Sequence, residues 1–267
     1  MGLPATTGSA SPLLVVVRDM RDTDDPLLSP RAVLAWTFFS LAAGSVNGSA
    51  FMACRSFVTH VTGTITNVGI DAGNSTLVAE YLLVFVAFII GAMMSVLLHE
   101  TLSPAKRGLV ILPYLVVFVV LIGVSLAGSA GAFGPFGERN TETKGAFTLL
   151  GLLACAMGMQ NASVALTTGN AVRTTHLTGP ATDFAGNVVR ALLGRGMGTS
   201  REARWALLRI AKIFAFAIGA GLAAKSSANL EYHVFAMPAV FVILGLGFSV
   251  TRDSEHDVRT EVYYRSE

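Results

Sequence analysis

Four stretches of this chain, residues 31–54, 76–98, 108–137 and 205–224, hold very few charged residues, and some hold none. Apolar runs of about 20 residues are long enough to cross a hydrocarbon layer as helices. An open sheet leaves its backbone polar groups unsatisfied in lipid, and these runs lack the strict alternation of barrel strands. The fold class read from them is an all-α polytopic membrane protein. Candidate spanning helices cover roughly 31–53, 76–99, 108–128, 146–167, 205–224 and 232–250. Composition agrees: 13% of the 267 residues are charged, against about 25% in a soluble domain. Mean hydropathy is +0.61.

Two further segments, about 57–74 and 173–193, are only moderately apolar and rich in Thr, Gly, Asn and Asp. They fit short re-entrant or partial helices. Residues 1–30 lack the basic start of a signal peptide and read as a cytoplasmic tail, as do residues 251–267.

The chain carries its pattern twice. Gly44-Ser45-Val46-Asn47 is answered by Gly158-Met159-Gln160-Asn161, and Thr59-His60-Val61-Thr62-Gly63 by Thr175-His176-Leu177-Thr178-Gly179. Ala87-Phe88-Ile89-Ile90-Gly91-Ala92 then matches Phe216-Ala217-Ile218-Gly219-Ala220, and Leu112-Pro113 matches Met237-Pro238. The order is kept, which implies an internal two-fold repeat. Membrane repeats at 31–128 and 146–250 are joined by an external loop at 129–145.

Basic residues set the topology. Lys106 and Arg107 follow the second span, and Arg190, Arg195, Arg201, Arg204 and Arg209 crowd 190–209. Both groups face the cytoplasm only if the THxTG segments dip and return, leaving six crossings with both termini inside. Three crossings per half make the repeat inverted, a common plan among secondary transporters. The net charge of +2 and the confinement of basic residues to loops argue against a nucleic-acid partner. The expected partners are the lipid bilayer and a small polar or ionic solute, and a second copy of the chain is compatible with the sequence.

The candidate site lies in the repeated polar segments. Taken as a helix, the first places His60, Thr64, Asn67, Asp71 and Asn74 on one narrow face. The same offsets in the second give His176, Pro180, Asp183, Asn187 and Arg190. Ionisable groups at membrane depth are costly and usually face a cavity or a partner. His60, Asn67, Asp71, His176, Asp183 and Asn187 are therefore the candidates for binding a solute or relaying protons. Thr62, Gly63, Thr178 and Gly179, with Thr59 and Thr175, open helices whose free N–H groups suit an anionic group. Asn47 and Asn161, in mid-span, rank second. Asp183 has Arg173 or Arg190 as expected neutralising partners. The competing reading is that these polar residues, like the small residues Gly44, Gly48, Gly91 and Gly219, serve helix packing.

Cys54 and Cys155 show no metal spacing, no helix carries a tight ligand pair, and no cofactor is expected. Hydrolase, metalloprotease, P-loop and Rossmann patterns are absent, which argues against an enzyme.

The blocks Val58-Thr59-His60-Val61-Thr62-Gly63-Thr64 and Arg173-Thr174-Thr175-His176-Leu177-Thr178-Gly179 resemble the YoaK-type family of small bacterial multi-pass membrane proteins, a domain of unknown function. The resemblance covers about residues 30–250. It implies a bacterial inner-membrane location and supplies no substrate, catalytic residue or cofactor. It also implies an aspartate where this chain has Asn47. The resulting expectation is a transporter or channel with its pathway between the two THxTG helices, in its preferred form proton-coupled. The alternative is a non-transporting scaffold or regulatory protein.

Overall fold

The structure, a computed structural model, describes residues 25–102, 111–138, 143–194 and 199–249. Residues 1–24 of the expected N-terminal tail, the whole expected C-terminal tail, and Lys106, Arg107 and Arg195 lie outside the described residues; residues 25–30 of that expected tail instead pack on α7 through Asp25 and Leu28. Helices are the only regular elements among those described. In chain order they are α1 (Pro30–Cys54), α2 (Val61–Ile70), α3 (Ser75–Leu102), α4 (Leu112–Ser129), α5 (Lys144–Thr167), α6 (Thr178–Leu192) and α7 (Thr199–Leu230). A 3-10 turn over Glu231–Phe235 leads into α8 at residues 236–249.

Local chemistry sets several of these ends. Ser29 Oγ accepts from Ala32 N at 3.3 Å ahead of Pro30, and Thr143 Oγ1 accepts from Ala146 N at 3.3 Å. Both are side-chain caps for otherwise unpaired N–H groups. Arg55, at φ 58°, stops α1 in the left-handed region, and Glu231, at φ 47°, interrupts the helical path after α7.

Among the described residues, four helical stretches are long and apolar enough to cross a membrane: Ser75–Thr101, Leu112–Ser129, Lys144–Thr167 and the 50-residue Ser200–Ser249. The last contains α7, the turn and α8. α1 is not among them, although its 25 residues would extend about 37 Å. Ser40, Ser45, Asn47 and Ser49 lower its apolar character, and all four are buried. α1 is thus a central helix whose polar groups face protein. α3 is the opposite case, with Met93 and Leu97 more than 60% exposed.

Two parallel helix pairs form the frame. α1 lies beside α7: Arg201 Nη2 meets Asp25 Oδ2 at 3.0 Å and Arg204 Nη2 donates to Leu28 O at 3.2 Å. Farther along, Gly44 faces the Phe216 carbonyl and Gly48 that of Ala220. α3 lies beside α5 in the same manner, with Gly158 against the Phe88 carbonyl and Gly91 against that of Cys155. Ser95 Oγ and Ser163 Oγ are 2.7 Å apart.

The approach is so close that only glycine fits. A Cβ at Gly44 would stand 2.0 Å from Phe216 O, and one at Gly158 would stand 2.0 Å from Phe88 O. At Gly219 it would be 2.2 Å from Leu41 O, and at Gly91 1.9 Å from Cys155 O. Small residues let membrane helices pack backbone to backbone in this way. Residues of the matched sequence blocks therefore make matched contacts: α1 packs on α7 and α5 packs on α3.

The remaining elements close around α1. Tyr114 at the start of α4 stacks on Phe39, with centroids 4.7 Å apart. After the Glu231–Phe235 turn, Gly245 comes against the Phe39 ring and Phe248 stacks on Phe38 at 5.7 Å. α8 thus runs back along α1, antiparallel to α7. At the far end, Gly137 N donates to Ala53 O at 2.9 Å, seating the loop after α4 on the end of α1.

Candidate functional site

The chain does not leave the bundle after α1 or α5 but turns back along the helix it has finished. Asn47 Oδ1 accepts from Val58 N and Thr59 N, each at 3.1 Å. Asn161 Oδ1 accepts from Thr174 N at 3.0 Å and Thr175 N at 3.2 Å. Each asparagine lies about two turns inside its helix, so the loop dips by that depth. Val58, Thr59, Thr174 and Thr175 are all buried. Asn47 and Asn161 are therefore positioning residues. Only the carbonyl oxygen is used, which an aspartate could supply equally well.

The histidines have a local task. His176 Nε2 accepts from Gly179 N at 3.3 Å, and a Cβ on Gly63 would lie 2.5 Å from the His60 ring. In both blocks the imidazole folds over the first helical turn, and the glycine three residues on makes room. This narrows the expectation of free N–H groups at these starts, since those of Thr59, Thr175 and Gly179 are taken. Thr62 and Thr178 point outward, and their carbonyls accept from Thr66 Oγ1 at 2.9 Å and Thr182 Oγ1 at 3.2 Å.

The polar stripes also need correction. α2 stops at Ile70, so Asp71 and Asn74 are not on its face. Asp71 caps the helix end and accepts from Tyr81 Oη at 3.1 Å, while Asn74 Oδ1 accepts from Leu77 N at 3.2 Å to start α3. In α6, Asp183 pairs with Arg209 at 3.3 Å rather than with Arg173 or Arg190. Asn187 is buried and donates to the Glu202 carboxylate, which also accepts from Arg190 Nε at 3.0 Å. α2 packs on the start of α3 and α6 on the start of α7, at opposite ends of the bundle. The two THxTG helices therefore do not meet, nor do His60 and His176.

What the first segment does build is a pocket of about 230 Å³ between the end of α1, α2 and α3. His60, Thr64 and Asn67 line one side. The aromatic part is Phe51 stacked on Phe57 at 4.7 Å, with the His60 ring edge-on to Phe57 at 6.3 Å. Opposite them stand Tyr81 and Glu80, the latter only 2% exposed and hydrogen-bonded by Ser56 Oγ.

Deeper in the bundle, the α1–α7 contact holds a buried basic residue. Lys212, 3% exposed, sits on the α1-facing stripe of α7 one turn before Phe216. Ser40 holds the matching place one turn before Gly44. Ser40 Oγ and Gln160 Oε1 are buried without hydrogen-bond partners among the described residues. Gln160 Nε2 donates to Phe39 O at 3.0 Å, at the level of Ser40. Sequence reasoning passed over Glu80 and Lys212. Each is a lone ionisable residue inside an apolar run, a signal that hydropathy averaged over the run conceals.

The family described as Protein of unknown function (DUF1275) matches residues 35–248. The chain belongs to this family. The YoaK-type resemblance is the same assignment, since that family falls within it. No curated protein and no solved structure matches the chain.

Proposed function

We propose that this DUF1275 chain is a multi-pass protein of the bacterial inner membrane that transports or conducts a small polar or ionic solute. In this reading α1 crosses along with α3, α4 and α5, and α7 and α8 cross separately, giving six spans in two inverted halves. The reciprocal glycine contacts, the paired asparagine clamps and the placement of α2 and α6 at opposite ends all support that plan. The observation that carries the transport reading is the burial of Glu80 and Lys212 within helices otherwise suited to lipid. Such groups are costly there and commonly mark ion or substrate pathways. The route runs from the Glu80 pocket to the polar region around Lys212, and a proton carried at Glu80 is its coupled form.

The test is flux in liposomes. Wild type should move at least one solute from a panel of ammonium, anionic and uncharged polar compounds. Glu80→Gln and Lys212→Met should each reduce that flux on the order of tenfold or more, the size expected for losing a charged hydrogen-bond partner. Solute-driven proton movement would establish coupling. Absence of flux across the panel would reject the reading.

The second reading is a non-transporting scaffold or regulator. The local roles of His176, Asn47 and Asn161 favour it. It predicts that His60→Ala with His176→Ala lowers stability and that Glu80→Gln and Lys212→Met do no more than that, whereas the transport reading needs the latter two to lower flux while the fold survives.

A further inference from the structure

The α1–α7 contact and the α3–α5 contact share a backbone register, with Gly44 against the Phe216 carbonyl in one and Gly158 against the Phe88 carbonyl in the other. One turn earlier they differ in chemistry. The α3–α5 contact holds Val84 and Ala154 at those places, both buried and apolar. The α1–α7 contact holds Lys212 and Ser40, equally buried. A third departure lies beside them. The residue before the clamping asparagine is Val46 in α1 but Gln160 in α5, and both are 0% exposed. Apolar residues satisfy close packing at all of these places in one half of the chain. Packing therefore does not need Ser40, Gln160 or Lys212.

The polar groups lie at one level of the bundle, since Gln160 Nε2 donates to Phe39 O at 3.0 Å and Ser40 is the next residue. Lys212 makes no hydrogen bond or ion pair with a described residue, and its charged neighbour is Arg209, which repels it. Ser40 Oγ and Gln160 Oε1 are likewise unpartnered among the described residues. An ammonium group at this depth is costly unless a negative charge answers it. A small anion does so, and it accepts from the Ser40 hydroxyl as well. The ammonium carries three donors, enough for the anion and for Gln160 Oε1. One buried ammonium matches one negative charge.

We propose that Lys212, Ser40 and Gln160 form a binding site for a small monovalent inorganic anion, held by the Lys212 ammonium and the Ser40 hydroxyl between α1, α5 and α7. The proposal deepens the transport reading and relies on it only for making the anion a substrate; binding stands apart from it.

The experiment is thermal unfolding of the purified full chain in detergent with sodium chloride or sodium nitrate, against sodium gluconate at equal ionic strength. Gluconate is the bulky reference anion. At least one of chloride and nitrate should raise Tm over gluconate by on the order of a few degrees at saturation, since a ligand that binds only the folded state stabilises it by mass action. Lys212→Met should abolish the difference, and Ser40→Ala should weaken binding several-fold. If Lys212→Met fails to fold, Ser40→Ala decides, because the α3–α5 contact already accepts Ala154 at that place. A difference unchanged in the variants is a general salt effect and overturns the proposal. No difference in the wild type overturns it too, and leaves Lys212 a neutral amine. Anion-dependent stabilisation without anion flux in liposomes keeps the site and rejects the anion as substrate. Flux of a cationic or uncharged solute without any anion shift keeps transport and rejects the site.

Discussion

Gly44 and Gly158 occupy equivalent places in two helix contacts, and each would drive a methyl group into a backbone carbonyl 2.0 Å away. A backbone oxygen cannot swing aside as a flexible side chain can. Gly44→Ala and Gly158→Ala should therefore each destabilise the protein by about 1–3 kcal/mol or more, as overpacking does. Gly123 and Gly221 are also helical, yet nothing lies within 4 Å of an added Cβ. Alanine there should be neutral or should stabilise by about 0.5–1 kcal/mol through better helix propensity. Thermal unfolding of the four variants in detergent checks both statements; equal losses at all four sites would sink the packing argument. The glycines were legible in the sequence because spacing reveals a stripe. Glu80 and Lys212 were not, because hydropathy averaged over a run smooths a lone charge away. The histidines attracted attention for the reverse reason: repetition marks a residue as needed, but a fold-back over the first helical turn needs it as much as a solute does.

The helices themselves were legible to within a few residues, with the exception of α7, which starts at Thr199 and continues to Leu230. The faces of the short helices were only half legible. A facial argument assumes that the helix continues, and α2 stops before Asp71, whereas α6 carries its stripe through Arg190. Even on α6, shared geometry does not mean shared burial. Asp183 has a side chain 57% exposed, so its pair with Arg209 is screened by solvent. Asp183→Asn should cost about 1 kcal/mol or less. Glu202 is 7% exposed and accepts from the buried Asn187 as well as from Arg190. Glu202→Ala strands that buried amide and should cost about 1–3 kcal/mol, most of it from the unsatisfied donor and not from the half-exposed arginine. Measured in the same detergent, a larger loss for Asp183→Asn than for Glu202→Ala would reverse this ranking and return Asp183 to the centre of the site.

At the scale of the whole molecule, helix direction links the repeat to the membrane. α1 and α7 run one way and α3 and α5 the other, as the proposed inverted repeat requires. The loop after α1 and the loop after α5 therefore open at opposite ends. Arg55 and Arg173, in those loops, are both exposed. The end where α7 begins gathers Arg190, Arg201, Arg204 and Arg209, and the proposed topology puts this end in the cytoplasm, in line with the positive-inside rule. With Cys54→Ala and Cys155→Ala removing the native thiols, Arg55→Cys should react with an impermeant maleimide added outside intact cells. Arg173→Cys should react only after the membrane is opened. Labelling of both from one side would end the inverted arrangement, because residues at opposite ends of a spanning bundle cannot share a solvent. It would also separate the Glu80 pocket from any path that continues to Lys212 across the bilayer. Opposite labelling would leave those two buried charges on a single route with one entrance at each face.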